Sequence, residues 1–363
     1  MIKETIRLFL IGLFVMTGTL SFSQDLAAFT DYRDYFYVFD EGSSKMIEHH
    51  PVRSFKVAKN GIAYIANDQS LKWYSDGDTR EISKVIEDYD VTENLLIYSF
   101  GQNLFVFDGE EKYSLSINCI NYEADSGIVA YYDRADRMFE VFQDGEIYEL
   151  ESALTRNKVS DFQVGDGLAV YLDANGYLKS FVNKEKNELM LAQGRPSYKA
   201  DRNLIAYYDQ SSSVFKVVYK NRTYDLMYFH PVDYDLADER MVFVDNNDYF
   251  RIFEKGEIRD VSSFRPRFYH LEDKLLIFEE QGHLKVYQKG RVYSLENYIP
   301  HKMKFHYNAL AYLDQQSHLK IFYNGKVRTV SYEPVNDFDV FWGVVWFNKG
   351  VNTNKVFYKG KVY

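Results

Sequence analysis

One motif, a small apolar run closed by an aromatic residue as in Ile205-Ala206-Tyr207, returns ten times along this chain of 363 residues. Its aromatic positions are Phe29, Tyr64, Tyr98, Tyr131, Tyr171, Tyr207, Phe243, Phe278, Tyr312 and Trp346. Neighbouring positions lie 33 to 36 residues apart, except for an interval of 40 between Tyr131 and Tyr171, where Ser152–Asn157 reads as an inserted loop. A fixed period of this length means one supersecondary unit used repeatedly. Such a unit cannot cover its own apolar surface and buries it against the next.

Each unit carries four short strand signals. In the seventh they are Val232–Leu236, Arg240–Val244, Tyr249–Phe253 and Glu257–Val261, here named strands a, b, c and d. Strand a ends on an apolar residue seven positions before the anchor (Val57, Val91, Ala124, Val164, Ala200, Leu236, Leu271), usually with an aromatic two residues earlier. This alternation has the period of a strand. The ninth unit departs from it with Met303, and the tenth is shifted by one residue. Strands c and d are joined through a glycine in most units and through Asn221 in the sixth, residues that tolerate positive φ in tight hairpins. An acid closes strand b in most units, among them Asp31, Asp133, Asp173, Asp209, Asp245, Glu280 and Asp314. One acid per repeat suits a side chain folded back on its own turn and does not gather the several oxygens that calcium requires.

Four antiparallel strands per unit, with no helical period after the first residues, give an all-β chain. It resembles the β-propeller proteins in fold over roughly residues 26 to 363, built from about ten four-stranded repeats of about 35 residues. The resemblance is to the fold alone. The chain has no Trp-Asp repeat signature and no paired-glycine kelch motif, and its units are shorter than the 40 to 50 residues of those families. Ten units exceed the usual four to eight blades. The first unit begins at Leu26 with strand b and has no strand a of its own. One large ring with a short blade, two five-bladed rings dividing near 193–196, and an open stack all fit. The period runs unbroken through Gln193–Pro196, which favours one continuous domain over 24–363.

The first 23 residues read as an address. Lys3 and Arg7 precede an apolar run, Leu8–Met16, and Ser21 and Ser23 set a cleavage point before Gln24. This is the pattern of a secretory signal peptide. The run is shorter than the roughly 20 residues of a membrane span, and no later stretch reaches that length. The expected product is exported to a periplasm or the extracellular medium, with no stable membrane span after cleavage. The formal net charge is −10 with no basic block, which argues against nucleic acid as a partner. The single cysteine, Cys119, excludes an internal disulfide and reads as a small apolar strand residue.

No nucleophile elbow, phosphate loop, dinucleotide fingerprint or metal-ligand spacing is present. No catalytic residue, cofactor or metal site is assigned on this basis. Strand a carries acids at Asp88, Asp90, Asp161, Asp233, Asp235, Asp337 and Asp339. Two of them at the right separation would suit work on a glycosidic bond, as the resemblance to five-bladed glycosidases allows. Of the tryptophans, Trp73 holds a slot filled by valine in other units, and Trp346 is an anchor. Trp342 lies in an a–b turn outside the pattern. The candidate binding residues are therefore Trp342, Asp88, Asp161, Asp233 and Asp337. Repeat folds present wide surfaces. The leading expectation is a non-catalytic scaffold for a protein partner in the cell envelope or outside the cell. The alternatives are a carbohydrate-active or other hydrolytic propeller with a glycan ligand, and a structural component of an envelope assembly.

Overall fold

The computed structural model of the chain describes residues 25–152 and 162–363. The expected signal peptide, most of the inserted loop and Asp161 lie outside the described residues. Ten antiparallel sheets follow one another along the chain, nine with four strands in the order a-b-c-d. In blade 7 the strands are Asp233–Ala237, Arg240–Val244, Phe250–Glu254 and Glu257–Ser262, within one or two residues of the sequence reading. Blade 1 has three strands, Leu26–Thr30, Phe36–Asp40 and Ser43–Glu48, which correspond to b, c and d.

The turns form for the local reasons legible in the sequence. In the c–d turn of blade 7, Lys255 and Gly256 both adopt positive φ (55° and 82°), the geometry that joins two twisted strands most tightly. In blade 6, Lys220 and Asn221 do the same at 49° and 61°. The acids after strand b turn inward on the backbone. Asp245 Oδ1 accepts from the amides of Asn247 (2.8 Å) and Tyr249 (3.0 Å), and Asp314 Oδ1 accepts from Gln316 and His318 (2.9 Å each). Blade 8 differs from the sequence reading. There Glu279, not Glu280, accepts the turn amide of Gly282, while Glu280 pairs with Lys285.

The core is divided into ten clusters, one at each junction between neighbouring blades. Strand b is buried on both faces, as the unbroken burial of Ile128–Asp133 shows. Alternate residues serve alternate neighbours: Ile62 and Tyr64 pack toward blade 1, Ala63 and Trp73 toward blade 3. Burying each such large side chain contributes about 1.5–3 kcal/mol. Blades 5 and 6 share a cluster of this kind built on Leu168, Tyr198 and Tyr207, so the packing passes through 193–196 without a break. The last cluster joins Ala27, Phe29 and Phe39 of blade 1 to Val344, Val356 and Tyr358 of blade 10 and closes the ring. In blade 10 the residue opposite the strand-a aromatic Phe338 is Phe347, not Trp346. Trp346 is only half-buried and stacks on Phe29 at 5.9 Å across the closure.

Polar bridges repeat between blades as well. The hydroxyl of an anchor tyrosine and a strand-c lysine meet one glutamate at the end of the preceding blade's strand d. This occurs with Tyr64 and Lys72 on Glu48, Tyr171 and Lys179 on Glu151, and Tyr312 and Lys320 on Glu296, at 2.7–3.1 Å. Cys119 is half-buried, and burial pushes its thiol up to about 11, so it is not poised as a nucleophile. No helix among the described residues is long and apolar enough to cross a membrane.

Candidate functional site

Strand a is the innermost strand of each blade that has one, and it lines the axis of the ring. In three blades its middle residue is a lysine that reaches sideways toward the next blade. Lys56 meets Asp90 at 2.9 Å, Lys199 meets Asp235 at 2.8 Å, and Lys304 meets Asp339 at 3.0 Å. In the first two, the lysine also donates to the carbonyl of the neighbouring aromatic, Tyr89 or Tyr234. At these three junctions neutralised ion pairs line the channel. These pairs are about half-exposed and are worth little individually.

The sequence candidates on strand a do not meet. Asp88, Asp233 and Asp337 occupy one register in blades 3, 7 and 10, just before the aromatic. Each accepts a hydrogen bond from the amide of the following residue at 2.8–2.9 Å. Asp337 is further held by Lys302 at 2.9 Å. They are repeat features that shape the start of strand a, on three separate blades. Asp161 lies outside the described residues.

Trp342 lies at the opposite end of the channel, in the a–b turn of blade 10, with φ of 43°. Its ring meets His306 at 4.5 Å and Tyr307 at 5.8 Å, and Lys59 Nζ lies 6.0 Å from its centre. Its indole N–H donates to the carbonyl of Val57 in blade 2 at 3.2 Å. Among the described residues blade 1 has no strand a, and this tryptophan reaches from blade 10 across to blade 2 there. Its role is first structural, and it also walls the mouth of the channel.

That mouth is where the a–b turns gather, around a cavity of 430 Å³ lined by Glu93, Asp125, Asp166, Asp201, Asp273 and Trp342 among others. Arg202, from the turn of blade 6, extends across it. Its guanidinium bonds Asp166 of blade 5, Asp238 of blade 7 at 2.9 Å and Glu93 of blade 3 at 3.0 Å. Lys59 reinforces Glu93 at 2.6 Å. Burial opposes charge on Glu93, yet Lys59 and Arg202 hold its carboxyl below the ordinary range. The carboxylates beyond their reach behave oppositely. Burial, with Asp166 nearby, pushes Asp125 up to about 6, and burial with Asp125 nearby pushes Asp201 up to about 7. Asp273 is raised by burial and by Asp238 and Glu272. Among the described residues no group of histidines, cysteines and acids is arranged to hold a metal ion.

Sequence reasoning missed this basin. In each repeat its residues read as ordinary turn polarity, and the one available signal was Arg202 in a slot that other units fill mostly with acids or small polar residues.

A pH dependence follows. Between the ordinary aspartate value of about 4 and 7, the folded chain binds protons at Asp201 and Asp125 that the unfolded chain does not. Stability therefore rises as pH falls through that window. Below about pH 4 the sign reverses. Glu93 and Asp209 are held low against the cost of burial, the latter by Lys216 and Ser211, and their contribution is lost on protonation. The expected result is a melting temperature that climbs from pH 8 to 5. In Asp201→Asn it should be higher at pH 8, with a flatter climb. A steady fall from pH 8 to 5 in the native chain would refute this account.

The opposite end of the channel carries the d–a loops and b–c turns, and its chemistry is different. Exposed large apolar side chains gather there: Val85, Ile117, Leu191, Tyr228, Phe229, Val232, Phe264 and Tyr332 in or beside d–a loops, and Tyr32, Phe100, Tyr249 and Val351 in or beside b–c turns. Tyr228 is 82% exposed and Tyr332 76%. Ile120 lies at the start of strand a of blade 4, and others of this class, such as Ile258 and Val292, lie on the outer strands d.

A family model described as "10-bladed beta propeller domain" matches residues 20–363. No curated protein sequence matches the chain. Solved structures with a similar course include the computationally designed Ika8 protein, at 14% identity and TM-score 0.34, covering 76% of this chain and 94% of that one. Another is PorZ of Porphyromonas gingivalis, described as an essential bacterial surface component of the type-IX secretion system. It is 10% identical with TM-score 0.28, covers 91% of this chain, and is matched over 56% of its own length. A third is Hsv2 of Kluyvelomyces marxianus, at 8% identity and TM-score 0.33, covering 63% of this chain and 91% of that one.

Proposed function

The chain belongs to the 10-bladed β-propeller domain family, and from that fold we propose that it is an exported, non-catalytic scaffold that docks a protein partner on the face of its d–a loops. The observation that carries this reading is the separation of surface chemistry between the two faces. Large apolar side chains crowd the d–a and b–c loops of one face, whereas the a–b mouth of the other is acidic and internally tied by Arg202. Exposed apolar residues in contiguous loops are typical of surfaces that bury themselves against another protein. Asp88, Asp233 and Asp337 sit on three separate blades, each bonded to the amide of the residue that follows it, which does not favour a hydrolytic reading built on them. Export rests on the leader-like first 23 residues.

The test is site-specific photocrosslinking in the native cell. A crosslinker at Tyr228 or Tyr332 is expected to trap one discrete protein species, and one at Asn60 or Tyr307 on the opposite face to trap none. Tyr228→Ser with Phe229→Ser should cut the yield from the Tyr332 site by about tenfold, the scale of a lost interface anchor. Equal trapping from both faces, or none from either, would overturn the proposal.

A further inference from the structure

We propose that the cleft between the inner ends of blades 7 and 8 is the anchoring subsite for an acidic, aromatic-bearing segment of the docked protein, held by the paired guanidinium groups of Arg265 and Arg267. The inference rests on the docking reading above and gives it a chemical specificity.

The cleft has a volume of 580 Å³ and is floored by Tyr234, Phe268 and Tyr269. Its wall is the d–a segment Arg265-Pro266-Arg267. Pro266 is buried while both arginines are exposed, the alternation of an extended stretch in which residues two apart share one side. Proline fixes its own φ and biases Arg265 toward extended geometry, so the pair is set in place before any ligand arrives. The Arg267 amide anchors the segment to Glu279 of blade 8 at 3.0 Å, and the Glu279 amide returns a bond to the Phe268 carbonyl at 3.1 Å.

The charges in the cleft are unequally satisfied. Asp235 is neutralised by Lys199 at 2.8 Å, and Asp233 accepts from the Tyr234 amide and faces the Tyr269 hydroxyl, whose pKa is raised by burial and by that carboxylate. Neither guanidinium makes an ion pair or side-chain hydrogen bond among the described residues, although Arg267 lies within the field of the buried Glu279 carboxylate. Two guanidinium groups with no carboxylate bonded to them, on a chain of net charge −10, mark a local demand for carboxylates, which arginine binds in bidentate fashion. The rim supplies the apolar half of the recognition. Phe264 is 52% exposed beside Arg265, and Val232 is 46% exposed and bonded through its amide to Val244, which lines the cleft.

The test is selection from a random twelve-residue phage-displayed peptide library on the immobilised chain, with the Arg265→Ala/Arg267→Ala variant as counter-selection. Melting curves confirm that the variant is folded. The expected result is enrichment of sequences combining Asp or Glu with Phe, Tyr or Trp. A fluorescein-labelled copy of an enriched peptide should lose about tenfold or more in affinity in the double variant, the scale of charge-assisted bonds. It should lose less in Arg265→Lys/Arg267→Lys, which keeps the charge. Enrichment of sequences without acids, or affinity indifferent to the double variant, would overturn the proposal. So would a cleft that enriches no peptide but binds chondroitin sulfate through the same arginines, since that is a glycan site. Arginine-dependent acidic peptides together with no photocrosslinked protein in the cell would instead sink the docking reading and leave the subsite standing.

Discussion

Replacing Arg202 by methionine is expected to cost about 3 kcal/mol of folding stability at pH 8, within the range for breaking a buried ion pair by removing one partner. Methionine keeps most of the aliphatic volume, so the loss is electrostatic. It leaves Glu93, Asp166 and Asp238 facing one another and the carboxylates of Asp125 and Asp201. Glu93 suffers most, because its side chain is only 7% exposed and water cannot replace the guanidinium. Lys59 remains to hold Glu93 and Lys274 to hold Asp238, which keeps the cost below the sum for three orphaned acids. The defect should shrink on acidification, since the freed carboxylates take up protons in the folded state and stop repelling. Chemical denaturation at pH 8 and pH 5 measures this. A loss of the same size at both pH values would mean that Arg202 acts through packing and not through charge. Adding Glu93→Gln to Arg202→Met should restore part of the loss at pH 8.

Gly165→Ala should be at least as damaging, by about 3 kcal/mol or more, for a steric reason. Gly165 ends strand a of blade 5 (Phe162–Gly165), and a Cβ there would lie 2.4 Å from Asp201 Cα and 2.6 Å from its carbonyl carbon. The obstacle is backbone, so no side-chain rotation relieves it, and blades 5 and 6 must separate. Equivalent positions on other blades hold Ala58, Thr92 and Ala237, so the close approach belongs to this one junction. Asp201 precedes Arg202, and moving it draws the guanidinium away from Glu93. The two substitutions should therefore couple: Arg202→Met should cost less in the Gly165→Ala background than alone. Strict additivity in the double-mutant cycle would show that the junction does not set the reach of Arg202. An unchanged melting temperature for Gly165→Ala would show that the blades yield there freely.

How much of this was legible in the chain can be judged residue by residue. The Gly256 and Asn221 turns, the Asp245 and Asp314 back-bonds and the alternation of strand a all appear in the sequence, because each is decided within a few residues. Trp73 reads as a core substitution for valine, and it is 2% exposed. The one-residue shift in blade 10 was visible as an irregularity, but only the pairing of Phe338 with Phe347 shows which residue takes the anchor position. Trp342 was legible as an exception, but not its function. It reaches past blade 1 to the Val57 carbonyl of blade 2, 285 residues away in the chain. Asp88, Asp233 and Asp337 share a register but sit on three separate blades.

The amino-acid sequence alone determined the repeating unit, its four strands, its turns and the tyrosine and phenylalanine faces that demand a neighbour. All of these depend on contacts within a unit or on the plain need to cover apolar surface. Ring closure decided the rest. It brings Arg202 to Glu93 across 109 positions and Trp342 to Val57 across 285, and it sorts acidic turns to one mouth and apolar loops to the other. The physical reason is that the sheets determine which residues point along the axis, while only their number and curvature around that axis determine which of those residues meet.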